Sequence, residues 1–407
     1  MRGFAHIGPR ISTNATRRIL FSKCQKAKNW DIEMNLDDPK ELIKLDSLGM
    51  FNAAESFPSQ IVESVALATS VVSRIERKDF NSVIGCGMGG SAIGIDLVRS
   101  CLQMEFTKSL LVVRDYSLPR YVSDRDLVIL VSYSGDTEET LSCLVEAVKR
   151  RSTILTVSSG GKLEVFSKML NIPHVKIPSG YQPRAALGFL FPPLLVLLVH
   201  LGIAPRSVLN DILGSGETFK TVATKCSYRT PTPENPAKQL ALKIFGSFPI
   251  VYGYGAYVGA ALRFKQELNE NSKLSSRYEI FPELDHNDIE GFDTPPPQLK
   301  PVLVLLRSEY EDPRIKSRIE ETLNVIKSGV TDVVEVRGIG SGVVQLLTTI
   351  QICDSASLYL ACLRGIDPGP VNKIADLKRA LSSKSTLIEF LTGEVQQLSG
   401  QRHEISG

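Results

Sequence analysis

The sequence predicts an α/β protein made of two doubly wound parallel-sheet domains, with extra helices at its N- and C-terminal ends. From Phe80 onward, short apolar segments alternate with helical or loop segments, which is typical of a parallel sheet covered on both faces. The segment 248–270 repeats the strand, glycine turn and helix pattern of the segment 81–103, which indicates a duplication. The chain has 407 residues, more than one core of ordinary size accommodates.

The N-terminal part of the chain changes character at about residue 33. Residues 1–33 are predicted to be a basic arm, since the first 30 residues hold seven Lys or Arg side chains and no acidic one. A transit peptide, a disordered arm and a mis-assigned start upstream of Met34 remain open, and we favour the last two. From 34 to 73, apolar residues recur at spacings of three and four, which predicts helices that precede the first sheet.

Residues 74–211 are predicted to form the first domain, which closes with long apolar helices. Its predicted strands lie in FNSVIGC, SLLVVRD, DLVILVS, STILTVS and HVKIPS. The polar, proline-rich segment 212–237 is predicted to be a linker. The strand and helix pattern restarts after it, so that residues 238–385 are predicted to form the second domain. Residues 386–407 are predicted to be a C-terminal tail, frayed over its last ten residues.

Composition narrows the class of partner and cofactor. The chain is 43% apolar and 22% charged with a net charge of +3, whereas a protein that binds phosphate backbones usually has a clustered basic excess. We therefore predict no nucleic-acid partner. The seven cysteines show no CxxC or Cys/His metal spacing. They are typical of reduced intracellular thiols, so no metal site is predicted.

The longest apolar run, 185–203, nearly reaches the length of a membrane-spanning helix. Pro192, Pro193 and His200 interrupt it, which favours a pair of buried helices with a proline opening the second. We accordingly predict a cytoplasmic protein that binds no membrane.

A glycine-rich loop follows the first predicted strand. Gly85, Gly87 and Gly90 form GxGxxG between a strand and a helix, the pattern of a dinucleotide-binding turn. That fingerprint also needs an acidic residue about 20 positions later. The nearest candidate, Asp115, lies 25 residues after Gly90. The loop still leaves backbone N–H groups free at a helix N-terminus, which is a general anion site.

A serine-rich loop, SYSGDT at 132–137, follows the third predicted strand and leads directly into a helix. Hydroxyl groups and backbone N–H groups at the carboxyl end of a parallel strand can hold a phosphate monoester. An ordinary turn with Asp136 and Glu139 forming a capping box is the alternative. It leaves Ser132 and Ser134 unexplained, so the pattern favours phosphate.

A carboxylate and an imidazole lie sixteen residues apart in the second predicted domain. Glu270 ends a predicted helix and His286 follows a short predicted strand. We expect the two groups to meet at one end of the sheet, where a general base and a general acid could share a small substrate. A solvated glutamate and a structural histidine remain the simpler alternative.

Five motifs, taken in order, make this chain resemble the bifunctional phosphoglucose/phosphomannose isomerases, which are built from two sugar isomerase (SIS) domains of flavodoxin-like architecture. The motifs are GMGGSAIG at 87–94, SYSGDTEETL at 132–141, PRAALGFLFPPL at 183–194, NEN at 269–271 and LDHNDIEGF at 284–292. The resemblance covers about 35–378. It implies that the sugar phosphate contacts Gly90, Ser91, Ser132, Ser134 and Thr137.

The same resemblance implies the catalytic groups. Arg184 would reach the reacting carbons, Glu270 would transfer the proton, and His286 would open the sugar ring. Lys378 would assist at the ring oxygen, although Lys373 also lies within reach on the same helix, and a solvated lysine is an alternative. The chain departs from the family pattern at Gly369, where hydroxyl residues are common, and this puts acceptance of the mannose epimer in question.

The resemblance implies an isomerase that needs no metal and no other cofactor. It would interconvert glucose 6-phosphate, and also mannose 6-phosphate, with fructose 6-phosphate through an enediolate. It also implies a homodimer, in which His286 could be donated across the interface. Two other classes stay open. One is a sugar-phosphate sensor without catalysis, and the other is a nicotinamide-dependent oxidoreductase that would use the GxGxxG loop.

Overall fold

A computed structural model describes residues 34–296, 298–382 and 384–406. The predicted basic arm, 1–33, lies outside the described residues. Three helices open the described chain: α1 (Pro39–Leu45), α2 (Met50–Glu55) and α3 (Phe57–Val72). Asp38 caps α1 by accepting hydrogen bonds from two backbone N–H groups. Helix α3 buries Phe57, Ile61, Val65, Ala68 and Val72, the three- and four-residue spacing that the sequence shows.

The first sheet has five parallel strands in the order β2-β1-β3-β4-β5. Its elements are β1 (Ser82–Cys86), α4 (Gly89–Cys101), β2 (Ser109–Val113), β3 (Leu127–Val131), α5 (Glu138–Lys149), β4 (Thr153–Ser158), α6 (Gly161–Met169) and β5 (His174–Lys176). This is the flavodoxin-like order. The direction of winding reverses between β1 and β3, so a crevice opens at their carboxyl ends.

Four helices follow the first sheet, where the sequence predicts apolar helices and then a linker. They are α7 (Leu187–Leu190), α8 (Pro192–His200), α9 (Arg206–Gly214) and α10 (Gly216–Lys225). The linker prediction for 212–237 is wrong in its local structure, because α10 lies within it and buries Phe219 and Val222. The sequence signal for this helix was a pair of apolar residues, Phe219 and Val222, three positions apart in an otherwise polar segment. The domain boundaries themselves stay a prediction.

The second sheet repeats the first with four parallel strands in the order β7-β6-β8-β9. Its elements are α11 (Pro236–Ile244), β6 (Phe248–Gly253), α12 (Val258–Glu270), β7 (Arg277–Ile280), β8 (Pro301–Leu306), α13 (Pro313–Ile326), β9 (Asp332–Val336) and α14 (Gly342–Leu363). The first four strands of both sheets therefore share one order, and the predicted fold class is confirmed.

One apolar core is continuous through both sheets. Helices α4 and α12 approach closely across it, because a Cβ atom on Gly259 would lie only 3.1 Å from the Cα atom of Leu97. Two stretches, Pro183–His200 and Gly342–Leu363, are long and apolar enough to cross a membrane. Inside the protein, however, 78% of the first stretch and 94% of an 18-residue window of the second are buried. Burial in this core accounts for their apolar composition.

The C-terminal part consists of two helices with different surroundings, α15 (Asn372–Ser382) and α16 (Leu387–Ser406). Helix α15 buries none of its described side chains and exposes Ile374, Leu377 and Leu381. Helix α16 buries Leu391 and Val395 in the apolar cluster beneath α5 and α6. Leu391 and Val395, which are four residues apart, thereby dock this helix on the first domain. The fraying expected over the last ten residues stays a prediction.

Candidate active site

The glycine loop supports the site by close packing. Gly89 has a φ of +49°, and a Cβ atom on Gly90 would lie 3.0 Å from the backbone of Pro183 and Arg184. A larger side chain at residue 90 would therefore displace the Arg184 segment. The backbone of that segment occupies the approach that GxGxxG leaves open in dinucleotide-binding proteins.

The serine loop lies beside the glycine loop, at the crevice between β1 and β3. The Ser91 hydroxyl, which is buried, accepts a hydrogen bond of 2.9 Å from the Tyr133 backbone N–H and so ties the two loops together. The hydroxyl oxygens of Ser132 and Thr137 are 2.9 Å apart. Ser134 is exposed, and its hydroxyl accepts from the Asp136 N–H at 3.3 Å. The four hydroxyl groups thus lie on these two neighbouring loops, and their role in phosphate binding stays a prediction.

The capping box that the sequence leaves open is absent from this loop. Asp136 does not cap α5, because its carboxylate accepts from the backbone N–H of Lys162 at 2.8 Å instead. Thr137 occupies the N-cap position, and no side chain caps the helix there. The first N–H groups of α5 therefore face the crevice with their partial positive charge, which suits an anion.

Arg184 lies on a 3₁₀ turn, Pro183–Ala186, where the two domains meet, and only 2% of it is exposed. Its Nε atom donates to the Asn271 side-chain oxygen at 2.6 Å. Its Nη2 atom donates to the carbonyl oxygens of Pro368 and Gly369 at 2.8 and 2.7 Å. Nη1 has no hydrogen-bond partner among the described residues, although it lies 3.7 Å from the Glu270 carboxylate. Two N–H groups of a buried guanidinium are thus left for an oxygen-bearing ligand.

Glu270 is the last residue of α12, and its side chain is 26% exposed. Lys273 follows in the left-handed region with a φ of +52°. Its ammonium donates to the Glu270 carbonyl at 2.7 Å and to the Pro368 carbonyl at 3.1 Å. Burial, with the nearby Arg184 charge, lowers the pKa of Lys273 to about 8. Lys273 thereby joins the end of α12 to the segment that accepts from Arg184.

A buried ionic cluster supports Arg184 from behind. Arg263 donates to Asp354 at 2.6 Å and to the Arg184 carbonyl at 2.8 Å, and it lies 3.2 Å from Glu267. Burial raises the pKa of Glu267 to about 8 and also raises the pKa of Asp354. Sequence reasoning did not predict Asn271, Lys273, Arg263 or Asp354 as part of the site. Asn271 lies within the NEN motif, which was the available signal.

His286 does not meet Glu270 within one chain. It is exposed on a 3₁₀ turn, Glu283–His286, just beyond β7. The Phe281 N–H donates to the carbonyl of Gly253, the last residue of β6, so this turn lies at the carboxyl edge of the sheet. Helix α12 runs back to the amino edge before β7 begins, so Glu270 lies at the opposite end. The expectation that both groups share one end is therefore wrong for a single chain.

The two candidate lysines and Gly369 lie on or next to α15. Lys373 and Lys378 are both exposed on this helix, and the described contacts of Arg184 and Glu270 include neither. Gly369 precedes the helix. A Cβ atom there would lie 2.8 Å from the Leu48 side chain, so this close contact favours glycine. Within the described part of the chain, no group of three or more His, Cys, Asp or Glu side chains could hold a metal ion.

The two sheets share the order of their first four strands, and a crevice lined with hydroxyl groups opens in the first sheet. This architecture is that of a two-domain sugar isomerase (SIS) fold. The C-terminal domain of glucosamine-fructose-6-phosphate aminotransferase from Francisella tularensis shares this fold. It has a TM-score of 0.58 and 15% identity, and the match covers 79% of this chain and 98% of that one. Residues 233–381 match the family model described as the bacterial phospho-glucose isomerase C-terminal SIS domain.

Two curated relatives extend the likeness over most of the chain. The bifunctional phosphoglucose/phosphomannose isomerase of Caldicellulosiruptor bescii is 36% identical, over 82% of this chain and 99% of that protein. The protein of the same name from Aquifex aeolicus is 33% identical, over 74% of this chain and 91% of that protein. The chain belongs to the family of bifunctional phosphoglucose/phosphomannose isomerases.

Proposed function

We propose that the protein is an aldose–ketose isomerase that interconverts glucose 6-phosphate and mannose 6-phosphate with fructose 6-phosphate. Family membership supports this reaction. The observation that carries it is the Arg184 guanidinium, whose Nη1 atom is buried and unpartnered among the described residues, 3.7 Å from the Glu270 carboxylate. A cation and a base that face the same small space suit a reaction that passes through an oxyanion.

The phosphate group binds at the carboxyl ends of β1 and β3. The hydroxyls of Ser91, Ser132, Ser134 and Thr137 and the uncapped start of α5 supply donors there. The phosphate is remote from the reacting carbons, so its binding energy orients the open-chain sugar without direct involvement in the chemistry. Gly90 maintains the distance between this crevice and Arg184.

Glu270 transfers the proton. Its carboxylate removes the proton from C2 of the aldose, and the electron pair moves to form a C1–C2 enediolate. Arg184 Nη1 donates to the developing oxyanion at O1. The proton of the C2 hydroxyl then passes to O1, and Glu270 returns the carbon-bound proton to C1, which gives the ketose with its carbonyl at C2. His286, with Lys378, protonates the ring oxygen during ring opening. Access of Glu270 to either face of C2 would make both epimers substrates.

The first experiment tests turnover. Purified protein is supplied with fructose 6-phosphate and EDTA but no nucleotide, and glucose 6-phosphate and mannose 6-phosphate are measured. We expect both products. Binding of fructose 6-phosphate without product would favour a non-catalytic sugar-phosphate regulator. Product formation that requires added nicotinamide cofactor would favour an oxidoreductase.

We further propose that the active unit is a homodimer that brings His286 of one chain to Glu270 of the other. The two groups lie at opposite edges of the second sheet within a chain, so a second copy is needed to unite them. Helix α15 supports an interface, because it exposes Ile374, Leu377 and Leu381 at 42%, 59% and 49%. Their spacing places them on one apolar face.

Mixing two inactive variants tests the shared site. Glu270→Gln and His286→Asn chains are unfolded together, refolded and assayed with cyclic glucose 6-phosphate. Mixed dimers have one site with both substitutions and one with neither, so a statistical mixture should approach about a quarter of wild-type activity. Separately refolded parents serve as controls. Activity equal to the average of the two parents would contradict a shared site.

We also propose that the protein is cytoplasmic. The two stretches of membrane-spanning length are mostly buried in the core, which supports a protein that does not enter a membrane. After cell fractionation at physiological salt, the full-length protein should remain in the supernatant of a high-speed centrifugation. Retention in the pellet after a high-salt wash would contradict the proposal.

A further inference from the structure

We propose that Asn271 is a positioning residue that holds the Arg184 guanidinium in the orientation that leaves Nη1 facing Glu270. This inference rests on the proposed isomerase function, because it assigns a task to a residue whose side chain takes no direct part in the proton transfer of that mechanism. Asn271 directly follows Glu270 at the end of α12 and is 2% exposed.

The three hydrogen bonds of Asn271 fix the direction of its amide. The side-chain oxygen accepts from Arg184 Nε at 2.6 Å. The side-chain nitrogen donates to the Glu267 carboxylate and to the Ser357 hydroxyl, each at 2.8 Å. A reversed amide would place an N–H group against the guanidinium and an oxygen against a carboxylate. Only one orientation of the amide is therefore satisfied.

The groups behind Asn271 belong to two long helices. Glu267 lies one turn earlier on α12, and Ser357 lies on α14, where its hydroxyl also donates to the Asp354 carbonyl at 2.6 Å. Arg263, on α12, holds the backbone of Arg184 through its carbonyl. Arg263 thus holds the main chain of Arg184, whereas Asn271 holds its side chain through the Nε atom.

Packing alone does not hold the guanidinium in place. A cavity of about 30 Å³ lies beside it, lined in part by Arg184, Glu267, Asn271, Gln351 and Asp354. This volume is enough for water molecules. The side-chain oxygen of Gln351 is buried there without a hydrogen-bond partner among the described residues. If the Asn271 amide were removed, Arg184 Nε could turn toward this cavity, and Nη1 would leave the position that stabilises the oxyanion.

The proposal predicts a loss in kcat with little change in KM. A displacement of about 1 Å in a catalytic group can cost about 100-fold in rate. We expect Asn271→Ala to lower kcat by about 10- to 100-fold and to change KM by less than about threefold, since the phosphate crevice is untouched. Asn271→Asp keeps the oxygen that accepts from Arg184 and should recover part of this loss.

Asn269→Ala is the matched control. Asn269 lies two residues earlier on the same helix, and its side chain donates to the Leu274 carbonyl at 2.7 Å. It makes no described hydrogen bond to Arg184, so its substitution should leave kcat within about threefold of wild type. Equal losses in kcat for Asn269→Ala and Asn271→Ala would overturn the positioning role.

A double-substitution cycle separates positioning from general stability. In an Arg184→Ala background the residue that Asn271 positions is gone, so the added Asn271→Ala change should have no further effect on kcat. An undiminished effect in that background would overturn the proposal.

If Asn271→Ala is recovered unfolded, Ser357→Ala tests the positioning role instead. This substitution removes one hydrogen-bond partner of the Asn271 amide and leaves the contacts of Arg184 in place. It should lower kcat at least about threefold with KM unchanged, and an unchanged kcat would count against the proposal.

A spectroscopic measurement keeps this proposal separate from the isomerase function. In protein labelled with ¹⁵N-arginine, the Arg184 Nε–H signal is assigned by its loss in Arg184→Lys. Its exchange with solvent should be at least about tenfold faster in Asn271→Ala than in wild type and Asn269→Ala. An unchanged exchange rate would overturn the positioning role even in an active enzyme. An inactive wild-type protein with the expected exchange pattern would instead reject the proposed reaction alone.

Discussion

At the scale of single residues, three carboxylates around the end of α12 have different surroundings and different tasks. Burial raises the pKa of Glu267, which is 3% exposed, and also the pKa of Asp354. Arg263 forms ion pairs with both carboxyl groups. The Glu270 side chain is 26% exposed and faces the unpartnered nitrogen of Arg184. Of the three, Glu270 is the most exposed and is the one paired with Arg184, which supports its role as the base in the proposed reaction.

Glu270→Gln should lower kcat by at least about 100-fold with little change in sugar-phosphate affinity, because general-base catalysis contributes typically about 100- to 10,000-fold. Steady-state kinetics and calorimetric binding of fructose 6-phosphate measure the two quantities. Glu320→Gln, an exposed position on α13, is the control. A variant that keeps more than about a tenth of wild-type kcat, where chemistry limits the rate, would show that Glu270 is not the base.

Glu267 should make the folded state less stable as the pH rises. Its folded pKa is about 8, against an ordinary value of 4.5, so the folded state binds more protons than the unfolded state between these values. The stabilising contribution is complete below about pH 4.5 and is lost as the pH approaches about 8. Glu267→Gln removes this titration. Urea unfolding at pH 5 and pH 8 should show a smaller pH dependence for the variant, and equal dependence would contradict the assignment.

At the scale of elements, the two C-terminal helices differ in how they use their apolar residues. Helix α16 places Leu391 and Val395 in the cluster beneath α5 and α6, and Lys149 forms an ion pair with Glu394. The Ser399 hydroxyl donates to the Met169 carbonyl at 2.9 Å. Helix α15 keeps its apolar face exposed. Helix α16 completes the fold of one chain, whereas α15 supports the proposed dimer interface.

Leu391→Ala should lower the free energy of unfolding by about 2–5 kcal/mol, the usual cost of removing a fully buried leucine side chain. The neighbouring Phe390→Ala is the matched control, because Phe390 is 61% exposed. Its substitution should change the free energy by less than about 0.5 kcal/mol. Urea unfolding monitored by circular dichroism gives both values. Equal effects would mean that α16 does not dock as described.

At the scale of the whole molecule, the direction of the chain through the second sheet separates the acid from the base. Glu270 ends a helix that runs antiparallel to β6 and β7, and His286 follows the carboxyl end of β7. A β-strand, helix, β-strand unit with parallel strands always has this geometry, because the helix returns the chain to the starting edge. A complete site in the proposed reaction therefore needs a second chain.

Leu377→Asp should convert the dimer into a monomer and abolish most turnover without unfolding the chain. Leu377 is 59% exposed on the apolar face of α15, so an aspartate introduced there would stay in solvent in the monomer. In the proposed dimer its carboxylate would be buried without a partner, which costs free energy. Val325→Asp, on the outer face of α13 and 68% exposed, is the matched control. Light scattering and activity are measured together. A fully active monomer would exclude the shared site.

The sequence by itself determined the class of fold, because strand and helix periodicity and glycine turns are local patterns. Hydroxyl groups at a strand end are a local pattern too, and they led to the prediction of a phosphate-binding loop. The tertiary structure decided which groups meet. It brings the Pro368 and Gly369 carbonyls and the Asn271 amide to Arg184 from distant parts of the chain, and it folds the segment 212–237 into the core. It also separates Glu270 from His286 by the length of a sheet. Contacts between residues nearly two hundred positions apart depend on how the elements pack, and no periodicity or spacing within one segment reports that packing.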